Sequence, residues 1–321
     1  MNNISSSLRL WFLKIRPVNL GIVILTQLFY YFFILVPYYH LGASRPALDS
    51  VTMIVLLLAT LCITAGGYLI NDVTDLSADQ VNKPSRAKNT EQLTRKALQR
   101  AYQGITVTGV ALGVFASVRT GSLAAMWIFP VVALGLYLYS VQLQRMVLVG
   151  NFLVAFLSGL VVWIVWLFDF FAVVGNPGDH PVLPDALNRS GWIAFVYGLF
   201  AFMVTLVREI LKDAEDAAGD RKAGYKTLVI RYGYKSAGIV AALFSIIVLA
   251  GFIPVLIWLK KQGFIFPFWY VIIVLIPLQA WLTYSVAVYR ENPENYRNAG
   301  NIAKMVMLAG VLSMQLIYIS F

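Results

Sequence analysis

The chain has 321 residues, 60% of them hydrophobic and only 12% charged, with a mean hydropathy of +0.75. A soluble domain carries roughly twice that charge, so an ordinary soluble enzyme, a disordered chain and a disulfide scaffold are excluded; the one cysteine, Cys62, admits no intramolecular disulfide. The formal net charge of +10 is read as orientation in a membrane and contact with anionic ligands or membrane lipids, with no nucleic acid as partner.

In chain order, residues 1–16 mix Leu8, Leu10, Trp11, Phe12 and Ile15 with Arg9, Lys14 and Arg16. That pattern predicts an amphipathic interfacial helix; no small-residue cleavage site follows it, so a secretory leader is the weaker choice. Nine apolar segments come next, near 17–36, 51–70, 98–117, 122–141, 147–168, 192–211, 235–258, 266–288 and 302–320. A segment in lipid must satisfy its own backbone, and continuous apolar runs of about 20 residues do so as helices. The expected fold is therefore all-α and integral to the membrane: one transmembrane domain over residues 1–321, a nine-helix bundle. With the N-terminus on the cytoplasmic side, 20 Lys and Arg residues fall in cytoplasmic segments and 5 (Arg45, Arg119, Arg189, Lys260, Lys261) on the other side. The positive-inside rule then puts the protein in the inner, cytoplasmic membrane with its C-terminus outside.

Acids are as unevenly spread as bases. Nine of the fifteen Asp and Glu residues lie in two cytoplasmic segments, 71–100 and 208–235, and chemistry is expected there. The first segment carries Asp72, Asp75 and Asp79; the second carries Asp213, Asp216 and Asp220. Both read D-x-x-D-x-x-x-D, and the copies are 141 residues, or four spans, apart. An even number of spans returns both to the same face, which indicates a parallel internal repeat of four helices plus an added ninth. On a continuous helix the three aspartates of each copy fall within about 60° of one another, a stripe that Glu209 extends in the second copy. Like charges at that spacing repel, and a divalent cation offsets the repulsion, because carboxylate oxygens are hard ligands. Two such stripes across a cavity suit Mg²⁺ bridged to a diphosphate. Lys83, Arg86, Lys88, Arg145, Arg208, Lys212, Arg221, Lys222 and Lys226 are candidates to meet phosphate oxygens.

The run Asn71-Asp72-x-x-Asp75-x-x-x-Asp79 followed by Asn82-Lys83-Pro84 resembles the first signature of the UbiA-type intramembrane prenyltransferases, and Arg208-Glu209-Ile210-x-Lys212-Asp213-x-Glu215-Asp216-x-x-Gly219-Asp220 resembles their second. Arg16-Pro17-x-Asn19, Tyr139-Ser140 and Gly150-Asn151 also look like that family. The resemblance implies Mg²⁺-dependent transfer of an isoprenyl group from a prenyl diphosphate to a membrane-associated acceptor, with release of diphosphate. It implies Asp72, Asp75, Asp79, Asp213, Asp216 and Asp220 as metal ligands, with Asp72, Asp75, Asp213, Asp216 and Tyr139 at the chemistry. Asn71, Lys83, Arg86, Arg145, Arg208, Lys212 and Lys222 are then expected to contact substrate, although Tyr139 and Arg145 also fit a membrane-belt tyrosine and a positive-inside arginine. Ala87, Gln144 and Val229 depart from the residues many members carry there. The motif endings look most like the branch that adds a geranylgeranyl group to geranylgeranylglycerol phosphate, a lipophilic glycerol-phosphate acceptor. An aromatic quinone precursor and a chlorophyllide-like acceptor stay open as alternatives.

A transporter is the rival from another class, but acids gathered at one membrane edge favour a surface-opening active site. His40 and His180 are expected in solvated outside loops, and Gly66-Gly67 either packs closely against a neighbouring helix or kinks the second span. Pro130, Pro254 and Pro277 are expected to bend their spans.

Overall fold

The computed structural model describes residues 10–176, 184–288 and 293–320, and within them every regular element is a helix. Twelve helices suffice to place the site. They are α1 (Pro17–Leu41), α2 (Ser50–Thr74), α3 (Leu76–Asn82), α4 (Pro84–Gln92), α5 (Arg95–Arg119), α6 (Ala125–Val141), α7 (Val149–Gly175), α8 (Pro184–Glu215), α9 (Ala217–Lys222), α10 (Leu228–Gln262), α11 (Ile265–Val288) and α12 (Glu294–Ile319). Eight are long and apolar enough to cross a membrane. The remaining expected span, near 122–141, is the shorter apolar helix α6. The protein is an integral membrane protein: large apolar side chains such as Val107, Leu134, Ile246, Ile273 and Trp281 face outward, where only lipid makes them favourable.

Local chemistry sets the helix ends. Asp49 Oδ1 caps α2 by accepting from the Thr52 amide at 2.7 Å, Thr94 does the same for α5 through the Ala97 amide at 3.3 Å, and Gly263 closes α10 in the left-handed conformation (φ 75°). Pro277 follows a widened π turn, Val271–Leu275, and Pro37 follows a second, Tyr31–Leu35. The wider turns accommodate a residue with no amide hydrogen. Pro254 lies inside α10, and Pro130 lies near the start of the α-helical part of α6, Ile128–Val141. Gly66 and Gly67 do not kink α2, which runs unbroken to Thr74; a Cβ on Gly66 would stand 2.4 Å from Thr106 Oγ1 on α5. His40 sits exposed in the last turn of α1 rather than in a loop. Leu8, Arg9 and His180 lie outside the described residues.

Packing follows the repeat. α2 contacts α5 and α6, α8 contacts α10 and α12, and α7 joins the halves through α1 and α8. α7 and α8 approach at backbone distance: a Cβ on Gly159 would lie 2.7 Å from the Gly198 carbonyl oxygen. Behind that contact Trp166 donates to the Leu187 carbonyl at 3.1 Å and Tyr197 shares a 2.6 Å hydrogen bond with Ser313. Gly159→Ala should therefore push α7 and α8 apart and cost about 1–3 kcal/mol, as overpacking does. The check is a lowered thermal unfolding midpoint of the purified protein in detergent.

Candidate active site

Each aspartate motif sits at a joint between two helices. The long helix α2 ends at Thr74 and α3 starts at Leu76, with Asp75 between them at φ −90°, ψ 3°. In the second copy α8 ends at Glu215 and α9 starts at Ala217, with Asp216 between them at φ −87°, ψ 3°. The two joints share one backbone geometry, as an internal repeat requires. They also correct the expectation of straight acidic stripes: the middle aspartate of each motif turns the chain, so the third lies on a separate short helix. Backbone bonds still bridge each joint, from the Asp79 amide to the Asp75 carbonyl (2.8 Å) and from the Asp220 amide to the Asp216 carbonyl (3.2 Å).

The short helices α3 and α9 pack against each other, and Asn82 joins them. Its Nδ2 donates to the Asp216 carbonyl at 2.6 Å and its Oδ1 accepts from the Gly219 amide at 2.8 Å. A Cβ on Gly219 would stand 2.4 Å from the Ala78 carbonyl oxygen and 2.5 Å from Asn82 Nδ2, so only glycine permits this approach. Lys83 adds an ion pair to Asp216, at 2.5 and 2.8 Å.

Six aspartates thus share one end of the bundle, each with a different set of partners. Asp72 is nearly inaccessible and holds three cations: Lys14 at 3.0 Å, Arg16 at 3.2 Å and Arg86. Asp75 accepts from Asn71 (2.6 Å), Gln144 (2.7 Å) and the Tyr225 hydroxyl (2.8 Å). Asp79 has Arg86 Nε at 3.4 Å, and Asp213 accepts from Asn151 at 2.9 Å. The Asp220 backbone is bonded to Asp216 and Tyr225, but its carboxylate accepts no hydrogen bond among the described residues. Burial raises the Asp79 carboxyl above the usual carboxylate range. Burial, then the neighbouring Asp213 and Asp216 carboxylates, push Asp220 up to about 8. The crowding leaves negative charge that the protein's own cations do not balance.

Two connected hollows open at this end. An acidic pocket of about 40 Å³ is bordered by Asp75, Asp79, Asp213, Asp216 and Asp220 with Lys83 and Arg86. A larger, mainly apolar chamber of about 260 Å³ extends into the bundle past Leu136 and Val161 to Phe129, Ile164 and Thr60. Asn71, Tyr139 and Lys212 line both. Arg208 and Glu209 border the chamber alone, paired with each other at 2.5 Å, and Lys212 lies 3.5 Å from Glu209.

Five of the basic residues expected to meet phosphate lie outside both hollows. Lys222 is exposed and borders neither hollow; two positions beyond Asp220, it points about 200° around α9. Arg145 is exposed too, stacked over the Tyr225 ring at 5.3 Å, so it braces the tyrosine that holds Asp75. Lys88, Arg221 and Lys226 are likewise exposed and outside both hollows. Conversely, Lys14 was expected only as one charge of an interfacial segment. Residues 10–14 are helical, but Lys14 turns inward to Asp72, the Arg86 carbonyl and Thr90. Arg16 reaches the same carboxylate from a left-handed backbone (φ 53°), a conformation costly enough to need that support. Tyr225 and Gln144 carried no local signal; Asn82, Asn151 and Arg16 did, as parts of the quoted motifs.

The donor set fits a hard divalent cation. Neither hollow is bordered by His or Cys, Asn71 Oδ1 is buried without a partner among the described residues, and the surrounding donors are oxygens. Among the described residues no three His, Cys, Asp or Glu side chains converge on one metal position, so phosphate or water oxygens would complete any shell, as Mg²⁺ commonly allows.

Asn82→Ala removes both bonds of the α3–α9 clasp while leaving the membrane helices intact. Losing one partner of each partly buried bond costs about 1–3 kcal/mol locally at the clasp, so turnover should fall by about tenfold or more while the thermal midpoint, set by the membrane bundle, drops only slightly. Asn82→Asp keeps the acceptor toward Gly219 and should fall between the two. The check is an activity assay alongside thermal unfolding.

The model of the UbiA prenyltransferase family matches residues 22–308. A digeranylgeranylglyceryl phosphate synthase of Thermococcus kodakarensis is 31% identical over 67% of this chain and 68% of its own. The protein of the same name from Methanocaldococcus jannaschii is 28% identical over 84% of each chain. A solved structure from work on digeranylgeranylglyceryl phosphate synthase in membranes superposes with a TM-score of 0.63 at 22% identity, covering 98% of this chain and 100% of that one. The apo structure of a UbiA homologue from Aeropyrum pernix K1 gives 0.60 at 14% identity, covering 90% and 96%.

Proposed function

The chain belongs to the UbiA prenyltransferase family, and we propose that it transfers a geranylgeranyl group from its diphosphate to a glycerol-phosphate lipid, with Mg²⁺ as the metal. It is a prenyltransferase of membrane lipid biosynthesis, from a family that generally uses a divalent metal; the identities of donor, acceptor and ion are the proposal. One observation carries it: two aspartate joints are clasped together at the mouth of an apolar chamber. The names of the relatives support the acceptor. The chain is thereby set apart from transporters, and the uneven distribution of Lys and Arg supports a cytoplasmic mouth.

The residues divide the work by where they lie. Asp75, Asp79, Asp213, Asp216 and Asp220, with Asn71 Oδ1, would hold the metal. When bound, the metal neutralises charge on the departing diphosphate. Asp72 anchors Lys14, Arg16 and Arg86 and so fixes the basic edge of the pocket. Lys83, Arg86 and Lys212 border the acidic pocket and stabilise phosphate oxygens as the allylic C–O bond breaks and its electron pair leaves with diphosphate. The reacting carbon belongs at the junction lined by Asn71 and Tyr139, where the Tyr139 ring faces developing positive charge. The prenyl tail fills the chamber, whose apolar wall keeps water from the cation. The acceptor hydroxyl oxygen then forms the new C–O bond and releases its proton.

Labelled geranylgeranyl diphosphate offered with a panel of acceptors, followed by lipid mass spectrometry and diphosphate release, tests this. The expected product is the doubly prenylated glycerol phosphate; product only from an aromatic acceptor would overturn the assignment. Asp216→Asn should lower turnover by about a hundredfold or more, the scale of losing a group that offsets transition-state charge, and excess chelator should abolish turnover until Mg²⁺ is restored. A saturated diphosphate analogue, which cannot form a stabilised cation, should yield no product under the same conditions.

A further inference from the structure

Arg208 and Lys304 were both expected in cytoplasmic segments, yet both belong to membrane-crossing helices, α8 and α12. Those helices run antiparallel and in step. Arg297 Nε pairs with Glu215 at 2.8 Å, and about three turns further in the Thr205 hydroxyl meets Met307 Sδ at 3.9 Å. Lys304 is seven residues past Arg297, and Arg208 is seven before Glu215. At 1.5 Å per residue both lie about 10 Å inside that surface ion pair, on one level. Both border the 260 Å³ chamber, and neither borders the acidic pocket.

A lysine at that depth is costly unless something anionic meets it. Among the described residues Lys304 forms no ion pair, and its one hydrogen bond goes to Asn301 Oδ1 at 3.3 Å. Arg208 spends a donor on Glu209, which Lys212 also approaches, and a guanidinium carries five donors. Four cations, Arg16, Arg208, Lys212 and Lys304, thus line the chamber with one carboxylate, Glu209, beside a pocket where acids prevail. A reaction between two phosphorylated lipids must bring two anionic heads to one mouth, where they repel. An acidic pocket that works through metal and a basic wall that works directly give each head its own place.

We propose that Lys304 and Arg208 bind the phosphate of the acceptor lipid. The inference rests on the proposed function and deepens it: this wall selects a phosphate-bearing acceptor over an uncharged one. Lys304 enters the site as a residue that the aspartate motifs do not contain.

The test uses the full-length protein in detergent with Mg²⁺, geranylgeranyl diphosphate and geranylgeranylglycerol phosphate. Lys304→Gln should raise the acceptor KM by about tenfold or more, the scale of a lost charge-assisted bond, with the donor KM moving far less. Lys304→Arg should restore most of the loss. With the unphosphorylated alcohol as acceptor, the gap between wild type and Lys304→Gln should close. Direct titration of the phosphate lipid into donor-free protein should show the same weakening. An unchanged acceptor KM, with Lys304 serving only to anchor α12 at the lipid headgroups, overturns the inference and leaves the proposed function standing. A rise confined to the donor KM overturns it as well, since the cation then reads the diphosphate. Failure of the wild type to use or bind the phosphate lipid removes both together.

Discussion

Concentrated negative charge at the end of an apolar bundle is the constraint around which this protein is arranged. Six aspartates lie where solvation is poor, and separated carboxylates would cost less. The chain holds them there with neutral clasps and cations in graded supply: three basic groups on Asp72, one on Asp216, amide and phenol donors on Asp75, and an amide on Asp213. Burial, which that supply does not offset, makes the carboxyls of Asp79 and Asp220 resist ionisation, with neighbouring carboxylates adding to it. A site left short of positive charge is ready to take up a divalent cation together with the phosphates it accompanies.

The same arrangement sorts the chemistry in space. The acidic pocket and the mainly apolar chamber meet at one boundary, where Asn71, Tyr139 and Lys212 border both. A prenyl diphosphate has that division in its own structure, an anionic head on a hydrocarbon tail, so under the proposed function complementarity would place the scissile bond near the boundary. Rigid support comes from elements remote in sequence. Asn82 ties the copies together, Tyr225 under Arg145 positions Asp75, and the close backbone contact at Gly159 keeps α7 against α8.

Much of this was legible in the amino-acid sequence, for physical reasons. Spans are visible because lipid demands long apolar runs, and the doubled aspartate pattern is visible because both copies keep one spacing. What escaped was non-local. Joints at Asp75 and Asp216 leave no signature, since a helix that turns at one residue and resumes at the next keeps helical spacing. Tyr225 and Gln144 reach Asp75 from 150 and 69 positions away. Lys14 looked like an interfacial charge because its burial depends on Asp72 and Thr90, brought to it by the fold. The shortness of α6 escaped for the opposite reason, since hydropathy reports composition and not how many residues join the helix.

The two copies of the motif have also ceased to be equivalent. Asp72 and Asp213 occupy matching positions, 141 residues apart, yet the first is saturated by Lys14, Arg16 and Arg86 while the second meets only the neutral Asn151. Paired cations from the N-terminal segment and α4 make Asp72 a hub that holds those segments over the mouth. Asp213, with no cation bonded to it, leaves a carboxyl oxygen open to a ligand. A duplicated fold thus supplies the twofold placement of carboxylates, and unequal compensation separates the two matching positions: in the proposed site Asp72 organises the basic edge, while Asp213 joins Asp75, Asp79, Asp216 and Asp220 as an oxygen donor.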